Sequence, residues 1–157
     1  MEGLAINDAI LEIIALTHSE VAKQGIALRT HLAEGLPCIH GDRVQLQQVV
    51  LNLIVNAIEA MSQMSDGARD LLISSAPDGA DGVQVTVRDS GPGFEPGTLE
   101  HVFDPFYTTK SAGLGMGLSI CHAIIEAHGG RFWAEANEPQ GAIFQFTVRA
   151  GNDADQT

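Results

Sequence analysis

The chain has 157 residues, 45% apolar and 18% charged, enough to bury one core and read as one soluble domain. Eight Lys+Arg against 20 Asp+Glu give a formal charge of −12. That argues against nucleic acid or an anionic membrane as main partner, because both need a basic footprint.

No apolar run approaches the roughly 18 residues of a membrane span. Met1-Glu2-Gly3 lacks the basic and apolar regions of a signal peptide. Cys38 and Cys121 match no metal or redox spacing, so two reduced cysteines in a cytoplasmic protein are expected. An acidic chain of this kind can hold a polyanion only through a cation or through backbone N–H groups.

Met1–Ile6 is a short entry segment with strand character. Asn7 suits the N-cap of a helix through about Lys23, with Ile10, Ile13, Ile14 and Val21 on one face and Gln24-Gly25 as the stop. Ile26–Leu32 alternates as a strand, and Gly35-Leu36-Pro37 breaks it. Asp42 caps a second helix, about Arg43 to Gln63. Leu46, Val50, Leu53, Ile54, Ala57, Ile58 and Met61 form its core stripe, and Gln45, Gln48, Asn52, Asn56 and Glu59 a separate polar one.

Leu71–Ser75 and Val83–Val87 read as a hairpin. Asp89–Thr109 carries few regular signals, and a stretch of that length inside a compact domain is usually functional. A third helix runs from about Gly117 to Ala127 and closes at His128-Gly129-Gly130. Arg131–Ala136 and Ala142–Val148 are the last strands, and Gly151–Thr157 is expected to be a disordered tail. Mixed helices and strands with late antiparallel pairs favour an α/β (α+β) two-layer sandwich over a doubly wound sheet.

Four segments carry chemistry. Asn52 and Asn56 lie four apart in an apolar helix and therefore share a face. They fit either two satisfied core amides or a grip on a metal ion with phosphate oxygens. Asp89-Ser90-Gly91-Pro92-Gly93 fits a plain turn, or a carboxylate that accepts from an amino group such as adenine's, beside backbone that approaches a flat ring.

Gly113-Leu114-Gly115-Met116-Gly117-Leu118 opens the third helix. It fits a hinge, or a set of N–H groups facing phosphate. Gly-Lys-Ser/Thr does not follow and the spacing is not Gly-x-Gly-x-x-Gly, so neither a Walker loop nor a Rossmann turn is indicated. Phe103-Asp104-Pro105-Phe106-Tyr107-Thr108-Thr109-Lys110 fits a satellite cluster, or an anchored loop whose lysine and threonines reach a phosphate.

In this order the four segments resemble the N, G1, F and G2 boxes of the catalytic ATP-binding domain of bacterial sensor histidine kinases. That family shares the Bergerat fold with gyrase, the HSP90 chaperones and mismatch-repair ATPases. The likeness covers roughly Asn7 to Val148. Asn56-Ala-Ile-Glu-Ala-Met61 and Ile125-Glu-Ala-His-Gly-Gly130 resemble the nitrogen-regulation and oxygen-sensing subgroup.

The resemblance implies a mixed, mostly antiparallel sheet of about five strands on three helices, with residues 1–150 as the catalytic domain. It implies that Asn56 binds Mg²⁺ and that Asn52 contacts the ion or the phosphates. It gives Asp89 to the adenine amino group and Gly91 and Gly93 to the adenine pocket. The lid around ATP falls to Gly113, Leu114, Gly115, Met116, Gly117 and Leu118, with Thr108, Thr109 and Lys110 at the phosphates. Glu59 either supports the metal through water or is an ordinary solvated glutamate. The segment from Phe94 to Leu114 is expected to move with nucleotide.

Hydrolytic relatives carry a glutamate base where this chain has Asn52, and an amide cannot take that proton. The implied reaction is therefore γ-phosphoryl donation to a histidine; the alternatives are an ATPase and a non-enzymatic nucleotide-binding module. The His-Glu/Asp signature with a following proline, which marks the acceptor domain, is absent from the chain. The implied partners are that dimerisation domain and, indirectly, a response regulator. Ala142-Ile143 stand where the family often has a Thr or Ser near the adenine pocket.

Overall fold

The computed structural model describes residues 3–62, 67–79, 81–91, 115–137 and 141–150. Within them the order is β1 (Gly3–Leu4), α1 (Ile6–Lys23), β2 (Ala27–Leu32), β3 (Ile39–His40), α2 (Arg43–Ser62), β4 (Asp70–Pro77), β5 (Gly82–Asp89), α3 (Gly115–Ala127), β6 (Phe132–Ala136) and β7 (Ala142–Arg149). β2-β4-β5-β7-β6 form one sheet, and β1 pairs with β3 in a separate two-stranded ribbon. β2 runs parallel to β4, as the α2 crossover between them demands; the other pairs in the large sheet are antiparallel. The expected two-layer sandwich is therefore present, with the ribbon added.

The period of two in the strands decides which sheet face is covered. Leu71, Ile73, Val83, Val85, Val87, Phe144, Phe146 and Val148 point into the core, while Leu72, Thr86, Arg88, Gln145 and Arg149 alternate with them outward. The helices supply Ile6, Ile10, Ile13, Leu46, Val50, Leu53, Ile54, Met61, Cys121 and Ile125 to the same core. By length and composition α2 could cross a membrane, but it is half buried inside the domain, as a core helix is.

Local chemistry sets the ends of α2. Asp42 Oδ1 accepts the Gln45 N–H at 3.0 Å, so the expected N-cap forms. The Asp42 N–H in turn donates to His128 Nε2 at 3.0 Å, and His128 Nδ1 donates to the Ile124 carbonyl at 2.8 Å. The imidazole thus joins the end of α3 to the start of α2. On the surface, Glu12 of α1 meets Arg43 at 2.6 Å and Gln47 at 2.9 Å, and these two hydrogen bonds hold its carboxyl below the usual range.

Asn7 departs from expectation. α1 begins at Ile6, and Ala5 occupies the cap position without a side-chain bond. The Asn7 amide instead donates to the Ala33 carbonyl and accepts from Ser75 Oγ, each at 2.7 Å. Ser75 is buried and its oxygen accepts the Ala33 N–H, so Asn7 supplies the acceptor that its O–H would otherwise lack. The strands also run longer than their hydrophobic cores suggest: β5 extends through Asp89, which pairs with both Leu71 and Ala142.

Candidate nucleotide site

Asp89 ends β5 and is 2% exposed. Its Oδ1 accepts the N–H of Gly91 at 2.8 Å and that of Ala142 at 3.2 Å. A carboxylate taking two backbone donors is fixed in one rotamer, and charge makes both bonds stronger than neutral ones. The Asp89 carbonyl is held separately by Asn137 Nδ2 at 2.9 Å, from the turn between β6 and β7. Asn137 N–H closes that turn on the Gly141 carbonyl. A side chain at Gly141 would bring its Cβ within 2.0 Å of the Asp89 carbonyl oxygen, and φ there is +119°.

Ser90 fixes the direction of exit from β5. Its hydroxyl donates to the Ala68 carbonyl and accepts the Asp70 N–H, both at 2.9 Å, and its own N–H reaches the Asp70 carbonyl. Gly91 then meets the last turn of α2: a Cβ there would lie 3.3 Å from Ala60 Cβ and 3.4 Å from Met61 Cγ. The end of β5 and the last turn of α2 are thereby neighbours, although some 30 residues of sequence separate them.

On α2, Asn56 is 7% exposed. Asn52, one turn earlier, is half-buried, and its Nδ2 faces Cys121 Sγ of α3 at 3.7 Å. Among the described residues Asn52 Oδ1 accepts no hydrogen bond. Glu59 is partly exposed on the following turn. α3 opens with Gly115, Met116 and Gly117, two residues before the expected start, and Leu118 is buried in the core. Its first N–H groups are without intrahelical partners by construction and carry the positive end of the helix dipole.

The structure thus sets Asp89 and Gly91 at the end of β5 against the last turn of α2, and Asn52 of α2 against Cys121 of α3, the helix that Gly115–Gly117 open. Gly93, Thr108, Thr109, Lys110, Gly113 and Leu114, the Phe103–Phe106 segment and residues 151–157 lie outside the described residues. Sequence reasoning missed Asn137, Gly141 and the Ala142 N–H as holders of Asp89. Asn137 and Gly141 are of types common in any turn, and a backbone N–H leaves no trace in a sequence. The Ala142-Ile143 departure has a counterpart here: the backbone of Ala142, not a side-chain hydroxyl, reaches the aspartate.

No group of three or more His, Cys, Asp or Glu able to hold a metal exists among the described residues. The candidate donors are amide oxygens. That set fits Mg²⁺, which keeps several waters and binds through one or two protein oxygens together with substrate phosphates.

Residues 41–152 match the family model described as "Histidine kinase-, DNA gyrase B-, and HSP90-like ATPase". The sensor protein FixL of Bradyrhizobium diazoefficiens is 42% identical over 149 residues, which is 95% of this chain and 29% of FixL. The chain therefore spans under a third of that relative's length. The catalytic domain of the histidine kinase ThkA, solved free of nucleotide, superposes with a TM-score of 0.81 at 36% identity, covering 95% of this chain and 96% of that domain. Full-length ShkA, solved with AMPPNP, superposes with a TM-score of 0.81 at 25% identity, over 96% of this chain and 31% of ShkA.

Proposed function

Because the chain belongs to the histidine kinase-, DNA gyrase B- and HSP90-like ATPase family, as a histidine kinase catalytic ATP-binding domain, we propose that it binds ATP·Mg²⁺ and donates the γ-phosphoryl group to a histidine on a dimerisation domain outside this chain. The product would pass to a response regulator, which makes the domain part of a two-component signalling chain on the cytoplasmic side.

The observation that carries this reading is the residue at position 52. An asparagine stands there, facing Cys121 of α3, and it cannot act as a base toward water. A neutral imidazole nitrogen needs no such base. It forms the P–N bond as the bond to the bridging β-phosphate oxygen breaks and ADP departs. The work left to the protein is orientation and charge neutralisation.

Asp89, immobilised by Gly91 and Ala142, accepts from the adenine amino group. The Gly91 backbone, close against Ala60 and Met61, lines the ring. The N–H groups of Gly115–Gly117 meet phosphate oxygens, together with Gly113, Leu114, Leu118, Thr108, Thr109 and Lys110. Asn52 and Asn56 hold Mg²⁺, with Glu59 reaching it through water. When bound, the ion neutralises charge on the phosphate oxygens, which matters in a chain of net charge −12.

Isothermal titration with ATP and Mg²⁺ should show saturable binding. With ATP and a separately produced dimerisation domain, acid-labile phosphohistidine should accumulate on that domain. Steady release of inorganic phosphate by the isolated chain, or no heat of ATP binding, would overturn the reading.

A further inference from the structure

Cys121 lies on α3, has no exposed surface and packs against α2. Its thiol meets α2 at two points one turn apart. Sγ is 3.8 Å from the Val49 carbonyl oxygen, toward which S–H donates, and 3.7 Å from Asn52 Nδ2, whose N–H it accepts. The S–H is the thiol's one hydrogen, and the Val49 carbonyl takes it.

A carboxamide can present either end to a neighbour, because oxygen and nitrogen have nearly the same shape and opposite hydrogen-bonding character. A neighbour whose only hydrogen is already committed leaves room for a donor alone. Asn52 therefore turns its nitrogen toward α3, and its oxygen faces away from Cys121.

We propose that Cys121 is a positioning residue that sets the Asn52 carboxamide with its oxygen toward the nucleotide side, where Mg²⁺ requires an oxygen donor. This rests on the ATP·Mg²⁺ reading of the site. The same contact links two parts of that site. α3 begins with the Gly115–Gly117 amides, and Cys121 sits less than two turns further along. The thiol ties the asparagine to the helix that presents those amides.

The test compares the full chain with Cys121→Val, which removes donor and acceptor at similar volume, and with Cys121→Ser, which retains both. Cys121→Ala serves if the valine variant does not fold. ATP affinity is measured by calorimetry with Mg²⁺ and with EDTA, and the Asn52 side-chain NH₂ resonances are recorded without nucleotide. Cys121→Val should weaken ATP binding in Mg²⁺ by about five-fold, the worth of one hydrogen bond, leave binding in EDTA within about two-fold, and shift the Asn52 NH₂ signals. Cys121→Ser should restore binding in Mg²⁺.

Equal losses with and without Mg²⁺, a serine variant as weak as the valine one, or unmoved Asn52 resonances would each overturn the proposal. If the unmutated chain binds ATP equally well in EDTA, the metal site itself falls. If it prefers Mg²⁺ and Cys121→Val prefers it equally, only the role of Cys121 falls.

Discussion

Asp89 is oriented by the fold before any ligand arrives. Two backbone donors converge on Oδ1, and Asn137 holds the carbonyl of the same residue. Asp89→Asn retains an oxygen that can accept both N–H groups, so the domain should fold. It loses the charge and offers an NH₂ where adenine also presents one. The preference for ATP over GTP should drop by about ten-fold or more in competition titrations, in line with a charge-assisted hydrogen bond; an unchanged preference would remove Asp89 from the adenine site. Cys121 supplies a second residue-scale prediction. Burial pushes its thiol from the ordinary 9.0 up to about 12, so on raising the pH the unfolded chain loses the thiol proton first. The stabilisation is intact below about 9 and is lost progressively as pH climbs toward about 12. Urea unfolding at pH 8 and pH 9.5 should show a steeper loss for the unmutated chain than for Cys121→Val, and parallel losses would refute it.

Among the elements, α2 is the pivot. Asp42 caps its start, His128 ties that start to the end of α3, and its last turn packs under Gly91. The β6–β7 turn is the second support, since it clamps the far side of Asp89. Gly141 is the weak point of that support. Alanine there meets both a disfavoured backbone conformation and a backbone oxygen 2.0 Å away, and neither partner is a flexible side-chain tip. Gly141→Ala should cost more than about 3 kcal/mol in urea unfolding and should weaken ATP binding as Asp89 shifts. A variant with native stability and affinity would show that the turn does not set the aspartate.

For the molecule as a whole, hydrophobic period and turn residues were enough to locate the helices, the β4–β5 and β6–β7 hairpins and the sandwich class, because those signals act between near neighbours in sequence. Three of the four boxes stand out locally too: Asn52 and Asn56 four apart, the turn after Asp89 and the glycines that open α3 are marked by residue type and spacing. The Asn7 cap failed for the converse reason. A local propensity worth about 1 kcal/mol yielded to a buried hydroxyl 68 residues away that needed a partner. The parallel pairing of β2 with β4, the ribbon of β1 with β3 and the reach of β5 to Asp89 were likewise set by distant strands. Residue types and spacing alone therefore determined which side chains are candidates for a nucleotide site. Tertiary structure alone decided how they are held: Ala142 and Asn137 on Asp89, Cys121 on Asn52. Those contacts join positions 48 to 69 residues apart through bonds of 2.9 to 3.7 Å, and only the packed layers bring such positions within reach.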